Sequence, residues 1–204
     1  MRIILKSIKN NFRTKNFVLH QAIELQMWII LEDELSWPLE FSTVLNMNGR
    51  YNDMIKDTEA ELNSIRQWIN AGNQFDSKTR YLVSYSVIKA SGTVEVIFKN
   101  IIYDYLITNA NDKTKMYLEK MIVDSTCNPN TGNMSNMLQN MSPVWKETFD
   151  CLVKESGHKD KLNSLVQLRN DFAHGESIAA SIDTVIKYFK SAVEILKILD
   201  SVCT

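Results

Sequence analysis

Glycine and proline are scarce, six and three in 204 residues, which excludes a collagen-like or low-complexity chain and leaves long stretches without a helix breaker. Cysteine is scarce too. Cys127, Cys151 and Cys203 are odd in number, widely separated and never in a CxxC or CxH spacing, so neither a disulfide framework nor a zinc site is suggested, and a reducing cytoplasm fits best. No apolar run approaches the roughly eighteen residues that a membrane span needs, and Met1–Lys6 is too short an apolar run for a signal-peptide core; a cytoplasmic protein without membrane contact is expected. The chain also lacks a strong charge bias. Its net charge of −1 excludes a protein that coats nucleic acid by overall charge, so any such contact is a local patch.

What is present is ordinary globular composition, 45% hydrophobic and 23% charged, enough to bury a core and incompatible with wholesale disorder. Apolar residues recur three and four apart and no convincing strand alternation is seen, so the expected class is all-α, a helical bundle with an additional helical N-terminal region. A first amphipathic segment runs from Phe17 to Leu31 and stops near Pro38. Ahead of it, Arg2, Lys6, Lys9, Arg13 and Lys15 form a basic stretch, read as a helix or arm of the mature protein. A second helix lies between Gly49 and Gly72. The most apolar segment, Tyr81 to Ile107, is expected to be a central helix whose small residues Ser84, Ser86, Ala90, Ser91 and Gly92 admit a close neighbour.

Thr114 to Ile122 predicts a helix with Met116, Tyr117, Met121 and Ile122 turned inward. Residues 126–133 are Asn-rich and read as a loop. Met134, Met137, Leu138 and Met141 follow at helical spacing, more suited to core than to a lid. Ser142-Pro143 then offers a cap followed by proline at the first helical position, predicting a helix over 143–155 with Trp145, Phe149, Leu152 and Val153 inside and Gly157 as its stop. The last two helices are expected over 159–173 and 180–203. His158 is read as a solvated turn residue and His20 as a satisfied interfacial one; Trp28, Trp37, Trp68 and Trp145 read as core.

The informative stretch is Leu165-Val166-Gln167-Leu168-Arg169-Asn170-Asp171-Phe172-Ala173-His174-Gly175. On an ideal helix Leu165, Leu168 and Phe172 share the buried face. Asn170 and His174 are an i, i+4 pair, and Asp171 is near enough to accept the histidine's ring N–H. Arg169 is about 140° from His174 at roughly 100° per residue, so joint action needs its long side chain or a second chain. Gly175 is placed to end the helix. Glu95, in a largely apolar helix, needs a partner, for which Arg169 is the candidate. An imidazole to move protons and a guanidinium to stabilise phosphate charge suit cleavage of RNA by attack of its own 2′-hydroxyl. The same pair could also grip a nucleotide without cutting it.

This stretch resembles the signature of the HEPN superfamily (higher eukaryotes and prokaryotes nucleotide-binding), particularly its RiboL-PSP-HEPN branch. The resemblance covers Tyr81 to Thr204. It implies an all-α bundle, a homodimer whose motif helices meet in one cleft, and metal-independent endoribonuclease activity on RNA in toxin–antitoxin or antiphage systems. On that pattern Arg169 and His174 are the catalytic pair and Asn170 is the polar residue after the arginine; from the residue reading Asp171 and Glu95 are expected to support them, with no metal and no cofactor. The expected organisation is a helical N-terminal region over 1–75 packing on a HEPN-like domain over 76–204. The alternative is a non-catalytic HEPN module that binds a nucleotide or partner, such as an antitoxin, in a defence complex.

Overall fold

Asparagine, aspartate and serine side chains set where most of the helices begin. In the computed structural model, which describes Met47–Cys203, seven helices follow one another without a strand among the described residues. Asn48 accepts from the Arg50 N–H at 3.2 Å and starts α1 (Gly49–Trp68), which runs on through a wider turn at Ile69–Asn73. Asp76 caps α2 (Ser77–Leu106) and Asn111 caps α3 (Asp112–Leu118), itself extended by a wide turn at Glu119–Val123. Asn130 caps α4 (Thr131–Met141), and Ser142, with Pro143 in the first helical position, caps α5 (Pro143–Ser156). Each such side chain satisfies one of the amide groups that a helix start leaves unpaired. α6 (Lys159–Ala173) and α7 (Ile182–Cys203) complete the set.

The thirty-residue α2 and the C-terminal α7 form the axis of the bundle, and α6 lies against both. α1 packs on α2 and α7, and the α4–α5 hairpin closes the remaining side, with α5 against α7. The core is apolar and closed: Leu62, Val87, Ile97, Phe98, Phe149, Leu162, Leu165, Phe189 and Leu196 are 0–1% exposed. Burying such a side chain contributes about 1.5–3 kcal/mol. Exposed ion pairs such as Lys197–Glu194 are worth about 0–1 kcal/mol, so the core decides the fold. The small residues of α2 do admit close neighbours. Ser84, Ser86, Ala90 and Ser91 are buried, the hydroxyls of Ser84 and Ser86 donate back to the carbonyls of Arg80 and Leu82, and Thr93 meets Thr58 of α1 at 2.9 Å.

Several expectations are corrected. Met116, Tyr117 and Met121 of the α3 segment are exposed, and only Ile122 turns inward, because this short element touches the bundle chiefly through its final wide turn against α2. The loop expected over 126–133 ends earlier, since the Asn130 cap starts a helix at Thr131. Met134 and Leu138 are buried in the core, with Met137 and Met141 packed at its edge. Trp68 and Trp145 are half-buried against the core, Trp145 edge-on to Tyr105. α1, on the N-terminal side of the expected division at 75/76, packs on α2 and α7. The segment from Phe17 to Leu31, the basic residues Arg2 to Lys15, His20, Trp28 and Trp37 lie outside the described residues. Among the described residues no helix is long and apolar enough to cross a membrane.

Candidate functional site

The motif helix α6 begins and ends where its sequence predicts. Its C-terminus is closed by a paired arrangement: the Glu176 N–H donates to the Asp171 carbonyl at 2.9 Å and the Gly175 N–H to the Phe172 carbonyl at 3.0 Å. This geometry requires a left-handed residue after the cap, and Gly175 supplies it with φ of 85°. His174 is therefore the capping residue itself, its own N–H held by the Asn170 and Asp171 carbonyls at 3.0 and 3.2 Å. Its backbone is fixed while its ring is exposed, and among the described residues the ring makes no hydrogen bond.

Arg169 has the opposite environment. It is half-buried, and its Nη1 donates to the side-chain oxygens of Asn128 at 3.0 Å and Asn170 at 3.2 Å. A guanidinium has only donors, so the amides must present oxygen to it. Both acceptors are neutral, and among the described residues no carboxylate pairs with Arg169. The full positive charge is oriented and left uncompensated, which suits an incoming phosphate.

The other expected members are placed differently from the ideal-helix reading. Asn170 turns its side chain to Arg169, not to His174. Asp171 accepts from Gln167 Nε2 at 2.5 Å and makes no bond to the His174 ring. Phe172 is 37% exposed, a correction with a simple cause: the last turn of α6 runs past the core, which this helix meets through buried Leu162, Leu165 and Val166 and half-buried Leu168. Glu95 does not reach Arg169; its partner is Lys99, one turn along α2, at 2.6 Å. Within one chain, then, Arg169 is brought to Asn170 and to Asn128, and no hydrogen bond joins Arg169 to His174. The two lie about 140° and 7.5 Å apart along an ideal helix.

Asn128, Lys99 and Gln167 escaped the sequence reading. Lys99 had a usable signal, since Glu95 and Lys99 are an i, i+4 pair in the most apolar segment; Asn128 had none, being 41 residues from Arg169. Beside Asn128, burial pushes the Cys127 thiol up, away from nucleophilic thiolate behaviour. His158, half-buried at the start of α6, has an Nδ1 with no partner among the described residues, a correction to the solvated turn residue expected. On the side of α6 that carries Gln167 lies a hollow of 350 Å³, lined by Ser164, Gln167, Ser181, Thr184 and Tyr188 among others. Gln167 and His174 are i, i+7 and so share this side by helical spacing. No group of His, Cys, Asp and Glu side chains able to hold a metal is found among the described residues.

No curated protein and no solved structure matches the chain. The RiboL-PSP-HEPN family does, over residues 52–204, a span that begins in the first turn of α1 and includes the whole of α6 with Arg169 and His174. That family carries a nuclease or RNA-related role in general terms. With an all-α bundle and the arginine–histidine helix at its surface, the chain belongs to the RiboL-PSP-HEPN family.

Proposed function

We propose that the protein is a metal-independent endoribonuclease that cleaves single-stranded RNA by 2′-hydroxyl attack on the adjacent phosphate, and that it serves as a toxin or antiphage effector. The observation that carries the reading is the state of Arg169: a guanidinium held in place by two neutral amide oxygens, its charge unspent. It would hold the phosphate and stabilise the charge that builds on its oxygens. His174, exposed on a fixed backbone, would move the proton between the 2′-hydroxyl and the leaving oxygen. Asn170 orients Arg169. The 350 Å³ hollow beside Gln167 offers polar groups and the Tyr188 ring to a base of the same strand.

Because the two side chains diverge on one helix, we place the reaction in a homodimer whose motif helices face each other and pool their groups. The same divergence favours a second reading, a module that grips RNA or a nucleotide through Arg169 without cutting it, within a defence or toxin–antitoxin complex. The test is cleavage of a single-stranded RNA in EDTA by the purified protein and by its His174→Ala and Arg169→Ala variants. Loss of cutting in both variants is expected. Equal degradation by all three would overturn the enzyme reading, and binding without cutting by the wild-type protein would establish the second.

A further inference from the structure

The segment that carries Asn128 to Arg169 traces back to a buried cation. Lys99 is 6% exposed on α2, where a charge is tolerated only if it is paired and fully hydrogen-bonded. Its Nζ donates to Glu95 Oε1 at 2.6 Å, to the Val123 carbonyl at 3.5 Å and to the Ser125 carbonyl. Val123 closes the wide turn that extends α3, and Ser125 opens the strap 124–130 that leads from there to α4. The far end of the strap is held from α6, where Asn163 Oδ1 accepts from the backbone N–H and the hydroxyl of Thr131 at 3.1 and 3.2 Å. Between these anchors the Asn128 carbonyl accepts from Asn133 Nδ2 at 2.8 Å and from the Asn130 N–H at 2.9 Å. With its carbonyl so engaged, Asn128 turns its side-chain oxygen to Arg169.

We infer that Asn128 is a positioning residue for Arg169, carried on a strap that Lys99 and Asn163 pin at its two ends, and that the neutrality of its amide keeps the guanidinium's charge available for a phosphate. The inference rests on the proposed reading of Arg169 as a phosphate-binding group. It separates shape from charge. Aspartate in place of Asn128 would have nearly the same shape and would hold Arg169 as well or better, yet it would satisfy the very charge that RNA must find.

The experiment compares Asn128→Asp, Asn128→Ala and Lys99→Met with the wild-type chain, using a 2′-O-methyl oligouridylate that binds without being cut. For Asn128→Asp, affinity is expected to fall about tenfold or more, the slope of log K against log salt to shrink by about 0.7, the value for one phosphate contact on a single strand, and the melting temperature to stay at or above wild type. Asn128→Ala should weaken binding only a few-fold. Wild-type affinity in Asn128→Asp, or parallel losses of affinity and melting temperature in both Asn128 variants, overturns the inference. A second readout does not depend on RNA: solvent exchange of the Arg169 side-chain N–H signals, assigned by their loss in Arg169→Lys, should be slow in the wild type and faster in Asn128→Ala and Lys99→Met. Unchanged exchange in Asn128→Ala overturns the positioning role even if Lys99→Met does not fold. A wild-type protein that binds no oligouridylate removes the functional reading, and the exchange rates still decide whether Asn128 holds Arg169.

Discussion

Arg169 and His174 stand five residues apart on one helix and are treated by the fold in opposite ways. The arginine is half-buried and its guanidinium is bonded to Asn128 and Asn170. The histidine sits at a helix cap that fixes its backbone and leaves its ring exposed without a partner among the described residues. A group that must bind charge gains from being pre-oriented, because the cost of ordering it is met at folding and not at binding. A group that must take up and release a proton needs access to the reacting atoms. The contrast predicts that the two residues can be separated experimentally.

The largest effect is expected for His174→Ala. Cleavage should fall by roughly a hundred to ten thousand-fold, the usual worth of a general acid or base, while RNA affinity and melting temperature stay close to wild type because the ring holds nothing in the folded chain. A similar loss of affinity would erase the contrast. Arg169→Lys comes next. Lysine keeps the charge but cannot reproduce a fixed planar fork, so affinity and cleavage should both drop by about tenfold or more, measured on the same oligonucleotide. Near-normal activity of this variant would show that orientation by Asn128 and Asn170 is unimportant.

A smaller effect tests the histidine's backbone. Gly175 has φ of 85° with open space where a side chain would go, so Gly175→Ala is strained by its backbone alone and should cost about 1–2 kcal/mol in denaturant unfolding, with a loss of cleavage that exceeds any loss of affinity. The smallest effect is expected for Asp171→Asn. Asp171 is engaged by Gln167, so kcat should change by only a few-fold; a drop like that of His174→Ala would show that Asp171 orients the imidazole during the reaction.

Most of the fold was legible because local rules sufficed. Ser142-Pro143 marked the start of α5, Gly157 its end, Gly175 the end of α6, and the apolar spacing placed Leu165, Phe149 and Met134 in the core. The misreadings share a cause. Periodicity gives the apolar side of a helix and not what lies opposite, so Met116 and Tyr117 on a short peripheral element, and Phe172 on a turn that overshoots the core, were assigned a neighbour they do not have. At the site, Arg169, His174 and Asn170 could be read from one stretch. The partner of Glu95 was legible as well, in the i, i+4 spacing of Lys99, whereas Asn128 was not, since it reaches Arg169 on a strap folded back from 41 positions away.

In the proposed reaction His174 drives attack by a ribose 2′-hydroxyl on a phosphate held by Arg169. It is tested most directly by a DNA oligonucleotide carrying a single ribonucleotide, incubated with the protein in EDTA, with the products identified by mass. One cut is expected, on the 3′ side of that ribonucleotide, leaving a 2′,3′-cyclic phosphate, and no cut with His174→Ala. Cutting at other positions, a product without the cyclic phosphate, or the same cut by His174→Ala would contradict it.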